Sequence, residues 1–488
     1  MSLDPELLNA LLRERVEWLG VFEDGTVLTL RSDEVELEEA AGRWRFGFFA
    51  RDGFRVRRLI GARAVGAELE LDLSDGLGAS RETLRLIPRQ SAAELGLEVE
   101  LARLERAGKI ARAAAEERAA QVRKVALAAY NGRLANITLA RGKAEEVVLA
   151  DVTGRMSHEA LLAAAIKRLD ELRSRKKNPL DRIAIAGEKR QIARVRKLAA
   201  LLRPGYRNSL ELLTWTDRDE GETIGRMQIP NLAELWREKP GKLALPDELV
   251  PGELAAEVLE RSPDKIDIIY SRHGETLRFR GLPFLRTRML GGKEHAWFGL
   301  GRQRRPLNEE TRTAFHDMLD LLHRKRDPEP ETPRHELYNL RPEAWIESTL
   351  RRDIRRLDGN LILAPVYNQF RSAGERIDLL ALRRDGRLVI IELKSQPDRD
   401  SVFQAADYWR RIELQRRRGV LRAAGLFGPR EIADRPALIY IAAPALSFHR
   451  ELERFAAALL PELEMWQFVL HSNWRREIMV IDRKILSG

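Results

Sequence analysis

Short apolar runs broken by Gly and Asp turns fill the first hundred residues. "RWRFGFFA", "FRVRRLI", "ELELDL" and "ETLRLIPR" are strand-length and rich in β-branched or aromatic side chains, so a β-rich domain is predicted over 1–104. The period then lengthens. "AAELGLEVELARLERAGKIARAAAEERAAQVRK" spaces its apolar residues as a helix does, and 105–124 is predicted to be a helical linker to the next domain.

From Val125 the pattern predicts a hairpin turning at Asn131-Gly132, then strand, helix, strand, helix and strand up to residue 216. This βββαβαβ order resembles the ribonuclease H-like topology in element order alone. The first strand lacks the Asp that catalytic members carry, so an α/β domain without catalytic duty is expected at 125–216. No Gly-rich phosphate loop is present, so no nucleotide cofactor is expected. Residues 217–326 read as a mixed α+β region, and "DPEPETPRHE", 327–336, as a linker of Pro and charge. Beyond it the elements alternate: helix 341–356, strands 361–368, 376–383 and 387–394, helix 400–418, strand 437–443, helix 447–460, and strands 464–471 and 477–482. A mixed sheet with helices on both faces follows for 337–488. The chain is thus predicted to be a multidomain α/β protein.

Bulk properties narrow the function classes. A chain of 488 residues exceeds one ordinary core. Its 44% hydrophobic and 33% charged content is that of a soluble protein, and no apolar stretch reaches membrane-spanning length. The N-terminus carries acids where a signal peptide is basic, and Cys is absent, which removes disulfides and thiolate chemistry. A cytoplasmic location is expected, with no membrane partner. The net charge of +10 suits a nucleic-acid partner, although Arg so outnumbers Lys that a generally solvated surface explains it equally well. The eight His show no metal spacing. His316 and His323 share a helix face without an acidic partner, and structural roles are expected for both.

"RIDLLALRRDGRLVIIELKSQ", 376–396, places Asp378, Glu392 and Lys394 in otherwise core-like strands. Glu392 and Lys394, two apart, share a strand face. A two-residue Asp-Gly turn puts Asp378 opposite Leu393, on the wrong face. A three-residue Arg384-Asp385-Gly386 turn puts it opposite Glu392, and both turn types are common. If the two carboxylates meet, they repel unless one is protonated or a cation lies between them. Oxygen ligands on a rigid strand pair suit Mg²⁺ or Mn²⁺. On the preceding helix, "PEAWIESTLRRDI", Glu347 is the preferred third carboxylate over Glu343.

These residues resemble the PD-(D/E)XK nuclease superfamily, the restriction-endonuclease-like fold, in its Asp-then-Glu-x-Lys pattern. The resemblance covers 341–488. It implies Asp378 and Glu392 as metal ligands, Lys394 as the catalytic lysine, and Glu347 as the helix carboxylate. "QAADYW" resembles the Gln-xxx-Tyr element of some branches, which gives Gln404 and Tyr408 roles at the active site or on DNA. Ile377 stands where many members have Pro. The implied function is a metal-dependent deoxyribonuclease in DNA repair or defence, with RNA left open as a substrate and a homodimer compatible with the many dimeric members. Arg376, Arg410 and Arg411 are the expected backbone contacts. The rival expectations are a nucleic-acid-binding or assembly protein with an inactive nuclease-like domain, and an effector nuclease regulated by a ligand.

Overall fold

The computed structural model describes residues 3–22, 27–40, 42–50, 53–74, 81–89, 92–128, 132–218, 221–240, 243, 249–271, 274–300, 304–330, 334–364 and 378–487. It is a mixed α/β structure with four sheets, in two compact units, Met1–Glu105 and Arg106–Gly488.

The first unit is a seven-stranded antiparallel sheet in the order β2-β1-β7-β6-β5-β4-β3. The strands are β1 (Glu17–Phe22), β2 (Val27–Arg31), β3 (Glu36–Ala40), β4 (Arg43–Ala50), β5 (Gly53–Val65), β6 (Glu68–Ser74) and β7 (Arg81–Pro88). The Pro5–Arg13 helix begins with Pro5 in its first turn and Asp4 accepting the Glu6 N–H. Leu8 and Leu12 of this helix are buried against Trp18, Phe46, Phe48, Leu71 and Leu84, each contributing about 2 kcal/mol by leaving water.

In the second unit, β8 (Gln121–Ala128), β9 (Leu134–Arg141), β10 (Ala144–Asp151), β11 (Ile183–Glu188), β12 (Leu210–Arg218) and β13 (Gly221–Met227) form one sheet in the order β13-β12-β11-β10-β9-β8. The βββαβαβ order is present, with β10, β11 and β12 parallel and an added antiparallel β13. Asn131 of the expected turn lies outside the described residues.

The expected linker helix differs in extent and in role. It runs Ala92–Glu117 and ends where Ala119 takes φ +48° and the Ala120 N–H donates to the Ala115 carbonyl at 2.8 Å. Residues from Gln121 on are strand. Ala107, Ile110, Ala111 and Ala114 are buried against Ile137, Leu139, Ala150 and Leu213, so this segment forms a layer on the sheet.

A five-stranded antiparallel sheet follows: β14 (Ile266–Ser271), β15 (Gly274–Phe279), β16 (Leu282–Leu290), β17 (Lys293–Phe298) and β18 (Arg305–Pro306). The Glu253–Arg261 and Arg312–Lys325 helices cover one face through Val258, Phe315 and Leu319.

The last sheet runs in the order β19 (Leu361–Leu363), β20 (Leu379–Arg383), β21 (Leu388–Leu393), β22 (Leu438–Pro444), β23 (Met465–Leu470) and β24 (Val480–Ser487). β21, β22 and β23 are parallel and the outer pairs antiparallel, which makes the sheet mixed as expected. The Pro342–Arg352 helix covers one face and the Ser401–Arg417 helix the other.

That second face shares its core with the β8–β13 sheet. The His158–Arg173, Lys189–Ala199 and Ser401–Arg417 helices bury Leu162, Ile166, Ile192, Phe403 and Trp409 in one apolar cluster between the two sheets. Backbone bonds join the layers as well: Arg203 N–H donates to the Ala458 carbonyl at 2.9 Å, and Leu460 N–H to the Leu201 carbonyl at 2.9 Å.

Candidate active site

β20 and β21 pair with Leu379 opposite Ile391 and Leu382 opposite Leu388. Their connection is the three-residue Arg384-Asp385-Gly386 loop. Gly386 takes φ +82°, its N–H donates to the Arg383 carbonyl at 2.8 Å, and the Arg383 N–H donates to the Arg387 carbonyl at 2.8 Å. Gly suits this left-handed position, where a Cβ would also stand 3.0 Å from the Glu431 carbonyl oxygen.

One step beyond the last ladder pair, the same register sets Asp378 across from Glu392. Asp378 Oδ2 accepts the Leu393 N–H at 2.9 Å. Leu380, Leu382, Leu388 and Ile390 face Phe403 and Trp409, whereas Leu379, Val389, Ile391 and Leu393 face Trp345 and Ile346. Alternation therefore assigns Asp378, Glu392 and Lys394 to the face covered by the Ser401–Arg417 helix.

Lys394 Nζ donates to Gln404 Oε1 at 2.7 Å and lies 2.8 Å from Asp398 Oδ2 and 2.9 Å from Glu392 Oε1. Three acceptors match the three hydrogens of the ammonium. Burial alone would lower the Lys394 pKa, but the Glu392 and Asp398 carboxylates outweigh it and raise it, so Lys394 stays charged.

Glu392 is 3% exposed, and its Oε2 has no hydrogen-bond partner among the described residues. Burial, then the neighbouring Asp378, raises the Glu392 pKa against the pull of Lys394. Burial raises Asp378 too, partly offset by the Leu393 N–H. A buried carboxylate oxygen without a partner, facing a second carboxylate, fits a hard divalent cation with oxygen ligands. Tyr408 is pushed upward by burial and then by Glu392 and Asp378, which sets its hydroxyl in their field as a proton donor.

Glu347 is held otherwise. Arg278 Nη1 donates to Glu347 Oε2 at 3.2 Å, and Arg351 Nη1 lies 3.6 Å from Oε1. Arg278 also grips Asp267, which accepts the Ser348 hydroxyl at 2.9 Å. The structure thus places Glu347 in a buried ion cluster joining β14 and β15 to the Pro342–Arg352 helix, although its charge still acts on Asp378. One turn earlier, exposed Glu343 accepts the Ser395 N–H at 3.3 Å, beside Lys394.

Arg376 lies outside the described residues. Arg410 and Arg411 both clamp Asp407: Arg410 Nη2 donates to Oδ1 at 2.9 Å, and Arg411 to Oδ2. Two arginines expected to face phosphates are therefore engaged by an acid of their own helix. Asp407 also meets His158, whose Nε2 is 3.6 Å away while Nδ1 lies 3.0 Å from Glu159. One ligand atom from each of His158, Glu159 and Asp407 falls within 4.8 Å of the others, a group that could hold a metal. The two guanidiniums already neutralise Asp407, which leaves little unmet negative charge there. His316 lies beside Arg261, and His323 beside Ser262 and Lys265. Of the C-terminal Trp residues, 345, 409 and 474 are buried core.

The reading of the sequence missed Asp398. It sits in the 395–400 loop, where neither strand nor helix period applies, and its only signal was the spacing of four from Lys394. The Arg278–Glu347 and His158–Asp407 contacts are long-range and left no local pattern. A cavity of about 1150 Å³ opens elsewhere, beside β11 and β12, and its Arg118 is already paired with Glu146 and Glu211. No family model, curated protein or solved structure matches this chain.

Proposed function

We propose that residues 337–488 form a divalent-metal-dependent nuclease that hydrolyses DNA phosphodiester bonds, in repair or in defence. The observation that carries this reading is the register of the β20–β21 hairpin, which sets Asp378 across from a buried Glu392 with one carboxylate oxygen unpartnered, on the face that also bears Lys394. Asp378 and Glu392 would hold Mg²⁺ or Mn²⁺; Glu343 accepts the Ser395 N–H beside Lys394, and the Glu347 charge acts on Asp378. When bound, such a cation supplies positive charge to a scissile phosphate and acidifies water.

The chain's own groups do the rest. Lys394 remains an ammonium and offers its charge to the negative charge that develops on phosphate oxygens. Gln404 and Asp398 hold that ammonium in one orientation. Tyr408, kept protonated, can donate a hydrogen bond to a phosphate or to water. The apolar face behind Ile390 excludes solvent from the rear of the site.

Plasmid nicking with Mg²⁺ or Mn²⁺ tests this reading. Glu392→Ala and Lys394→Ala should each abolish it, and undiminished nicking by either variant would falsify the assignment. A second reading, a nucleic-acid-binding or assembly protein with an inactive nuclease-like domain, is favoured by the engagement of Glu347 with Arg278 and Arg351. It expects salt-sensitive DNA binding and no cleavage with any divalent metal.

A further inference from the structure

Along β16 and β17, the outer face of the β14–β18 sheet collects cations without acids. Thr276 pairs with Arg286, Arg286 with Trp297, and Trp297 with Pro306, and residues directly opposite one another share a face. Arg288 pairs with His295, and Leu290 with Lys293, across the turn at Gly291-Gly292. Arg286, Arg288, Lys293 and His295 are exposed, and Trp297 and Arg304 are half-buried. The His295 and Trp297 rings stack with centroids 6.2 Å apart and an interplanar angle of 23°.

Arg304 is near enough to Arg286 and Arg288 for both to act on its charge. None of Arg286, Arg288, Lys293 and Arg304 has a carboxylate partner among the described residues, although paired arginines are common elsewhere in the molecule. The acids of β15 and β17 lie on the other side. Glu275 accepts the Gly252 N–H at 3.0 Å, and Glu294 accepts the Leu254 N–H at 3.2 Å, both at the start of the Glu253–Arg261 helix. Charge is thus sorted across β15, β16 and β17, leaving four cations around one ring pair.

This face is fixed to the candidate nuclease. Ile269 lies opposite Thr276, so Asp267, two residues earlier on β14, belongs to the same face. Asp267 accepts from Ser348 and Arg351 of the Pro342–Arg352 helix. The cationic surface and the site helix therefore share one sheet face.

We propose that Arg286, Arg288, Lys293 and Arg304, with the His295–Trp297 ring pair, form a docking platform for single-stranded nucleic acid. The cations take backbone phosphates, and an unpaired base stacks on Trp297. Sequence-tolerant single-strand sites combine these two elements, a cationic track and an aromatic ring, whereas a duplex keeps its bases stacked away from such a ring. As the surface that presents substrate to the cleaving site, the platform rests on the nuclease reading; binding by itself does not.

Fluorescence anisotropy of a labelled oligothymidylate with the full chain, in EDTA so that nothing is cut, tests the platform. Trp297→Ala should weaken binding about tenfold. Arg286→Glu combined with Arg288→Glu should weaken it more than tenfold and reduce the slope of log affinity against log salt by about 1.4, two phosphate contacts' worth. Arg286→Lys with Arg288→Lys should stay within a few-fold of the parent, and melting curves matching the parent's show that each variant is folded. If the glutamate pair does not fold, Trp297→Ala and the lysine pair decide the matter. Parent-like binding by Trp297→Ala or the folded glutamate variant, tighter binding of the matching duplex, or no binding by the parent overturns the platform. Loss of the platform with metal-dependent cleavage intact leaves the nuclease reading standing. Loss of cleavage in Glu392→Ala with unchanged anisotropy bears on catalysis alone.

Discussion

Lys394 Nζ lies 2.8 Å from Asp398 Oδ2, and this contact completes the ring of acceptors around the ammonium. Asp398 is 31% exposed at its side chain, so its share of stability is screened and small. Its share in orientation is larger. Asp398→Ala should lower cleavage by roughly tenfold at unchanged metal affinity, since a charge-assisted hydrogen bond contributes about 1.5–3 kcal/mol and part of that is screened here. Asp398→Asn, which keeps an acceptor, should recover most of the loss. Single-turnover cleavage beside a metal titration separates the two effects, and a change confined to metal affinity would remove the orienting role.

Glu392 and Asp378 both have raised pKa values, so each costs stability at neutral pH when ionised and without a cation. A group raised in the folded state costs most above its folded value, and that cost fades as pH falls. Addition of Mn²⁺ should therefore raise the melting temperature at neutral pH, with about 2.7 kcal/mol gained at a hundredfold excess over the dissociation constant. Glu392→Gln should melt higher than the parent in EDTA and lose the Mn²⁺ response. An equal response in both proteins would place the ion elsewhere.

The hairpin illustrates what the sequence made legible. Alternation identified the strands, two turn lengths remained open, and the demand that Asp378 face Glu392 followed from register arithmetic on the sequence alone. The Arg278 contact of Glu347 was not legible in the sequence for a definite reason. Apolar neighbours at Trp345, Ile346 and Leu350 predicted burial, which is what Glu347 has, but burial on a helix does not say which guanidinium waits on the far side. Arg278 is on another sheet. Local period carries no information about such a partner.

Glu347 therefore yields a stability prediction. Glu347→Ala would leave Arg278 facing one acid fewer in a site 4% exposed, at a cost of about 3 kcal/mol. Glu343→Ala, at an exposed position, should change stability by less than about 0.5 kcal/mol. Chemical denaturation of the two variants checks this, and equal stabilities would mean that the Arg278 contact contributes nothing.

Asp407 gives the acid limit. Burial alone would raise its pKa, but His158, Arg410 and Arg411 outweigh burial and hold it far below the usual carboxylate range. A depressed carboxylate stabilises the fold fully above its unfolded value of about 3.9 and loses that contribution as pH falls below it. The gap between the parent and Asp407→Asn, about 2 kcal/mol after allowance for the partial exposure of Arg411, should be flat from neutral pH to about 5 and close below about 4. Denaturant melts across that range provide the check, and a gap that widens on acidification would reverse the assignment.

The Arg278–Asp267–Glu347–Arg351 cluster sets a limit on how this protein can be dissected or recombined. Two of its members lie before the 327–336 stretch and two after it. A C-terminal piece cut at residue 337 would bare Arg351 and Glu347 where Arg278 and Asp267 had covered them, and the remainder would expose a complementary wound. At the β15–β16 turn a Cβ on Gly281 would stand 2.0 Å from the Ala344 carbonyl oxygen, so not even a methyl group fits between the two parts. Transplanting residues 337–488 as a cassette onto another protein would thus require carrying β14 and β15 with them.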